Sequence, residues 1–189
     1  MIVKIHGTSG SGKTTIVRNI FDEASQILPI GPVKRPEAYK VEHPFLKRPL
    51  YILGPYENKC GGMDGVKSID KQIELIEHYA EEGHILYEGL LLSTYYGRLG
   101  AITEKWGNSH IFAFLNTPIE VCIERVIQRR KERGVLTPLN ERNTRKRIVP
   151  IEALKKKLIW SGRNVVTLEW NGDPTGQVLD LFEGGHDVS

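Results

Sequence analysis

Gly7-Thr8-Ser9-Gly10-Ser11-Gly12-Lys13-Thr14 decides how the rest of this chain is read. The octet carries the full GxxxxGK[ST] spacing. Its glycines allow successive backbone N–H groups to turn inward around a polyphosphate. Lys13 can reach the outer phosphates, and Thr14 can offer its hydroxyl to Mg²⁺. A helix starting at Lys13 adds the positive end of its dipole. The expected phosphate-binding set is Gly7, Thr8, Ser9, Gly10, Ser11, Gly12, Lys13, Thr14 and Thr15, and the expected ligands are ATP and Mg²⁺.

The flanks suit such a loop. Residues 2–6, Ile-Val-Lys-Ile-His, read as a buried strand. Ile16, Val17, Ile20, Phe21 and Ala24 then recur at helical spacing. Further strands are expected near Leu28–Val33, His84–Leu90, Ile111–Leu115 and Asn164–Glu169, with two extended pieces near Ala38–Glu42 and Leu50–Tyr56. Helices are expected from Ser68 as N-cap to Gly83, over Gly97–Trp106, from Thr117, near Pro150–Trp160, and from Asp173-Pro174 to Gly184. Thr117-Pro-Ile-Glu120 has the form of a capping box with proline at the first helical position. Strand and helix alternate. The reading is therefore α/β: a three-layer phosphate-binding fold with a parallel sheet of about five strands and helices on both faces. Ligands in such sheets sit at the carboxyl ends of the strands.

Composition bounds the rest. The chain has 189 residues, 40% hydrophobic and 26% charged, which suits a single domain over 1–189. No apolar run approaches the ~20 residues of a membrane span, and the first ten residues do not form an export signal. The two cysteines, Cys60 and Cys122, make neither a disulfide framework nor a zinc spacing. A cytoplasmic setting is expected. Net charge is only +3, but residues 125–147 hold nine Lys/Arg against Glu132 and Glu141. That block alone is +7 and leaves the remainder at −4. A stretch this basic exceeds the need of one ATP and suits several nucleic-acid phosphates; a solvated, mobile segment would carry the same residues.

A phosphate-binding loop needs an acid on a neighbouring strand to organise the metal. Glu88 ends the apolar run from His84, where packing gives an acid no reason to be. It is read as orienting metal-bound water or the acceptor hydroxyl. A switch GTPase is disfavoured: the strand ending at Leu115 is followed by Asn116-Thr117-Pro118 rather than a guanine-reading Asn-Lys-x-Asp. Residues 34–65 hold the sequence from Lys34-Arg35 to Gly61-Gly62-Met63-Asp64-Gly65. Asp64 is a candidate base or hydroxyl-orienting residue; a plain turn into the helix from Ser68 would use the same residues. Tyr39, Phe45, Tyr51 and Tyr56 interleave with Lys34, Arg35, Lys40, Lys47 and Arg48, a mix that suits base stacking and equally suits a core with solvated lysines.

Leu115-Asn-Thr-Pro-x-Glu-x-Cys-x-x-Arg-x-x-x-Arg-Arg130 resembles the strand, helix and arginine lid of small P-loop kinases. Together with the Tyr51–Tyr56 and Cys60–Gly65 blocks and Tyr87-Glu-Gly-Leu-Leu-Leu-Ser93, the chain resembles the phage-type, thymidylate-kinase-like P-loop kinases. The resemblance implies that 34–65 is an acceptor-binding insertion and 125–147 a basic lid. It implies that Arg125, Arg129, Arg130 or Arg133 neutralises the transferring phosphoryl group beside Lys13, Asp64 and Glu88, with Thr14 and Glu88 at the metal. It implies ATP-dependent transfer to a hydroxyl of a nucleotide-type acceptor, most specifically 5-hydroxymethyluracil in phage DNA, in the host cytoplasm. Free nucleoside or nucleotide phosphorylation and a non-catalytic, nucleotide-gated DNA-binding module are the alternatives. The chain departs from thymidylate kinases in following Glu88 with Gly-Leu-Leu-Leu-Ser, where an Asp-Arg pair would bind a monophosphate.

Overall fold

The computed structural model describes residues 1–57, 61–66, 68–89 and 104–184. Seven strands form one sheet: β1 (Ile2–His6), β2 (Gln26–Ile30), β3 (Ala38–Glu42), β4 (Leu50–Leu53), β5 (His84–Glu88), β6 (His110–Leu115) and β7 (Asn164–Leu168). Their order is β2-β3-β4-β5-β1-β6-β7. The five from β4 to β7 pair in parallel, as the strand–helix alternation predicts. β3 is antiparallel to both its neighbours.

The edge differs from the sequence expectation. The piece expected at Leu28–Val33 is shifted to Gln26–Ile30 and lies at the sheet edge, and β4 takes the place beside β5. Gly31, at φ +98°, ends β2 before Val33 can join it. Pro29 cannot donate to a ladder, which suits an edge strand. Within 34–65, Ala38–Glu42 and Leu50–Leu53 join the sheet as β3 and β4.

The helices described over their whole length are α1 (Lys13–Glu23), α2 (Ile69–Ala80), α3 (Ile119–Glu132), α4 (Glu141–Lys146), α5 (Ile148–Trp160) and α6 (Pro174–Phe182). The side chains of β1 alternate between the two faces. Val3 and Ile5 pack with Ile16, Val17 and Ile20 of α1 and with Val178, Leu181 and Phe182 of α6. Ile2 faces the other way, toward Leu75, Ile76 and Tyr79 of α2. On that side Phe112 and Phe114 meet Ile151, Leu154 and Leu158 of α5. Lys4 is also buried in the sheet, its ammonium 5.6 Å from the centre of the Tyr87 ring. The Tyr87 hydroxyl in turn lies 3.0 Å from His110 Nε2.

Several local expectations hold. Ser68 caps α2 by accepting from the Lys71 amide, and Asp173 caps α6 by accepting from the Gly176 amide. The capping box at Thr117 does not form. The Thr117 hydroxyl donates instead to the Ser11 carbonyl at 2.8 Å, and Glu120 pairs with Arg145 at 3.0 Å. The helix expected from Pro150 starts at Ile148, after a separate short α4. Of the Gly97–Trp106 expectation, 104–106 are helical and 97–103 lie outside the described residues, as do Leu90 and Cys60. Tyr39, Tyr51 and Tyr56 are core residues rather than an open stacking surface. Tyr39 and Tyr56 pack on Phe21, and Tyr51 stacks on Tyr79 with ring centres 4.8 Å apart. Among the described residues no helix is long and apolar enough to cross a membrane.

Candidate active site

The loop between β1 and α1 is shaped by two glycines. Gly10 has φ +85° and Gly12 has φ +111°, conformations that side chains rarely adopt. Gly10 also lets the loop seat on α3, since a Cβ there would collide with the Cys122 carbonyl oxygen. Gly12 is the N-cap of α1 and no side chain satisfies the helix start. Its first amides are left for a ligand, with the dipole favouring an anion.

Lys13 opens that helix. Its ammonium donates to the carbonyls of Gly7 at 2.8 Å and Thr8 at 3.1 Å, folding back across the loop. Burial lowers its pKa, and the charges of Glu88 and Asp64 oppose that shift. One residue on, the Thr14 hydroxyl donates to Glu88 Oε1 at 2.9 Å. Register explains the meeting: Ile5 on β1 stands opposite Glu88 on β5, so both strands deliver their carboxyl ends to one place. Glu88 is 3% exposed. Burial raises its pKa, while Lys13 and the Thr14 hydrogen bond pull it back down.

Asp64 arrives from the neighbouring segment. Met63–Gly65 forms a single 3₁₀ turn, held from below by Gln72 Nε2, which donates to the Met63 carbonyl at 2.7 Å. Arg35 donates to the Gly65 carbonyl and ties the turn to the β2–β3 connection. Gly62, at φ +94°, lets the turn touch the Glu88 strand end: a Cβ there would stand 2.7 Å from the Glu88 carbonyl oxygen and 2.8 Å from Oε1. Asp64 itself reaches Gly89, where a Cβ would lie 3.0 Å from Asp64 Oδ1.

These groups line one cavity of about 540 Å³, with residues 9–16 as its floor. Asp64, Glu88, Arg125 and Arg129 all border it. Arg130 and Arg133 do not line it. Arg130 donates to the carbonyl and hydroxyl of Thr137 at 2.8 and 2.9 Å, pinning the turn after α3. Arg133 is the exposed C-cap of α3.

The cavity also has walls that the motif reading does not single out. Arg147 borders it and donates to the Ser9 hydroxyl at 3.4 Å. Trp170, Pro174 and Asn19 also line it. The Arg125 guanidinium lies 5.5 Å from the Trp170 ring centre and donates to the carbonyls of Gly10 and Ser11 at 3.3 and 3.4 Å. Arg147 was legible only as one member of the basic block. Trp170 lies in the connection between β7 and α6, and no spacing rule marks it.

The cavity therefore presents amide donors, a buried ammonium, a hydroxyl–carboxylate pair, a second carboxylate and three guanidinium groups. Hydroxyl and carboxylate oxygens are the ligands that Mg²⁺ takes alongside substrate phosphates, so Thr14 and Glu88 fit that ion. The arrangement can hold a polyphosphate and neutralise charge as a phosphoryl group moves.

No family model matches the chain. In overall fold it is similar to a gluconokinase from Sinorhizobium meliloti 1021, with a TM-score of 0.50 and 16% identity over 96% of this chain and 89% of that one. In sequence it is 37% identical over 175 residues to a 5-hmdU DNA kinase of Pseudomonas phage PaMx11, covering 90% of this chain and 92% of the relative. It is 26% identical to a 5-hmdU DNA kinase of Pseudomonas phage M6 over 89% of this chain and 90% of that relative. With identity of this order sustained over nearly all of both chains, and the phosphate-binding loop intact, the chain belongs to the 5-hmdU DNA kinase family of P-loop phosphotransferases.

Proposed function

We propose that this protein transfers the γ-phosphoryl group of ATP to the hydroxymethyl oxygen of 5-hydroxymethyluracil in DNA. The observation that carries the phosphotransfer reading is the convergence of Lys13, the Thr14–Glu88 pair and Asp64 on one cavity. The names of the relatives support the acceptor.

The loop amides and Lys13 hold the polyphosphate, Lys13 exchanging its two carbonyl partners for phosphate oxygens. Thr14 and Glu88 hold Mg²⁺, which supplies charge neutralisation at the phosphates. Asp64 faces the acceptor side and takes the proton of the hydroxymethyl group as its oxygen attacks. The new P–O bond forms at the acceptor oxygen, the bond to the β-phosphate oxygen breaks, and ADP leaves. Arg129 and Arg147 neutralise the oxygens of the group in transit. Arg125 serves the nucleotide differently. Anchored to two loop carbonyls and set over Trp170, it makes with that ring a stacking shelf for the base of ATP.

Incubation with γ-labelled ATP and a panel of acceptors tests this reading. The panel is DNA containing 5-hydroxymethyluracil, the same DNA with thymine, and the free hydroxymethyl nucleotide. Label is expected on the hydroxymethyl DNA alone, and Lys13→Ala is expected to abolish it. Label on the free nucleotide alone would overturn the DNA acceptor.

A further inference from the structure

Helix α5 is apolar on two opposite sides. Ile151, Leu154 and Leu158 form its buried stripe against Phe112 and Phe114. Helical geometry, at about 100° per residue, sets Val149, Ala153, Lys156 and Trp160 on the opposite side. All four are exposed there. Trp160 is 89% exposed and Val149 70%, with Ile159 beside them at 56%. Exposed apolar side chains grouped on one helix face mark a binding face.

Charge decides what covers it. Residues 141–163 hold eight Lys/Arg against Glu141 and Glu152. Arg145 is absorbed by Glu120 and Glu141, and Lys155 by Thr167. Arg142 and Lys146 of α4 and Lys156 of α5 are exposed. Exposed rings set among Lys and Arg suit unpaired bases and phosphates, whereas a protein interface is depleted of lysine at its core. The start of α5 lies beside the catalytic cavity. Arg147 immediately precedes α5 and reaches Ser9 of the phosphate loop. Thirteen residues of helix span about 20 Å, so Trp160 stands a helix length away from the end of α5 that borders the cavity.

We infer that the outward stripe of α5 is a secondary DNA-binding track, on which Trp160 stacks against an unpaired base and Lys156 meets a phosphate. The inference rests on the DNA acceptor proposed above and adds where the strand runs beyond the reacting base.

Fluorescence anisotropy with a labelled 30-nucleotide single strand tests the track by binding alone. Trp160→Ala is expected to weaken binding about tenfold. Lys156→Gln is expected to reduce the slope of log affinity against log salt by about one. In the transfer assay both variants should raise KM for the 30-mer containing 5-hydroxymethyluracil, while kcat and the activity on a trinucleotide stay at wild type. Unchanged 30-mer affinity in both variants overturns the track. So does an equal loss on the trinucleotide, and so does a wild-type dimer by light scattering that Trp160→Ala converts to monomer, because the stripe would then be a self-interface. Absence of transfer by the wild type to any hydroxymethyl DNA is a different result: it removes the proposed reaction and leaves the binding measurement to decide the track.

Discussion

The Thr14 hydroxyl donates to Glu88 Oε1 at 2.9 Å, joining the first turn of α1 to the end of β5. Neither residue is placed by its neighbours in sequence. Thr14 is there because Gly10 and Gly12 turn the loop back onto the start of the helix. Glu88 is there because β5 pairs in parallel with β1, with Glu88 opposite Ile5. The burial that raises the Glu88 pKa is a cost to folding that a core residue would not carry. A group retained at such a cost is a candidate for a functional role.

Glu88→Gln separates those two roles. The amide keeps the size and a hydrogen-bonding oxygen, and it removes a charge that burial disfavours. Turnover is expected to fall by roughly 10²-fold or more, on the scale of losing a charge-stabilising group. Thermal stability is expected to hold or rise slightly. Steady-state kinetics beside a melting curve checks both. Full turnover in the variant would remove Glu88 from the reaction.

The site was only partly legible in sequence. The Gly7–Thr14 spacing and the acid ending an apolar run are local patterns, readable without a fold. Arg147 and Trp170 are not: 138 residues separate Arg147 from the Ser9 hydroxyl it meets, and only the packing of three connections at one end of the sheet brings them together. The same limit applies to the fold. Hydrophobic alternation predicts the parallel core from β5 to β7. It does not show which of several Pro-flanked extended pieces lies beside β5, because β2, β3 and β4 all read as short strands. The capping box failed for a related reason. Thr117 has the right neighbours to cap α3, but the Ser11 carbonyl is a tertiary partner that no local pattern reveals.

Gly62→Ala tests whether the turn carrying Asp64 must touch the Glu88 strand end. The added Cβ meets the Glu88 carbonyl oxygen at 2.7 Å and Oε1 at 2.8 Å, at a backbone angle that alanine disfavours. Gly162→Ala provides the comparison, with φ +68° and open space around the new carbon. Both should lose about 1 kcal/mol from backbone strain. Only Gly62→Ala should also lose turnover, by roughly tenfold or more, because displacement near 1 Å at a reacting group is costly. Equal activity in the two variants would show that the contact is incidental.

Trp170→Ala removes the ring beneath Arg125. Loss of a cation–π and stacking surface is worth about 0.5–2 kcal/mol, so KM for ATP should rise roughly three- to thirtyfold with little change in kcat. The wild-type protein should show an ATP-dependent change in tryptophan emission that Trp170→Phe abolishes. An emission change that survives Trp170→Phe would place the base elsewhere.

Lys4 gives the prediction for stability. It lies in the middle of β1, is 0% exposed, and has no hydrogen-bond partner for its ammonium among the described residues. Burial holds its pKa well below the ordinary 10.5, with Asp64 opposing the shift. A base with a depressed folded pKa contributes stability that is fully present above its unfolded value and is lost as pH falls through the folded one. Lys4→Met keeps the length of the side chain and removes the titration. The melting temperatures of the two proteins should therefore be closest above pH 10.5 and diverge as pH is lowered. At neutral pH the variant should be the more stable by on the order of 1–3 kcal/mol, the penalty for burying an unpaired polar group. In a protein this size that is a rise of several degrees. A gap that stays constant from pH 10.5 to 7, or a variant less stable throughout, would mean that the Lys4 ammonium is satisfied within the fold and that its burial over Tyr87 is a net gain.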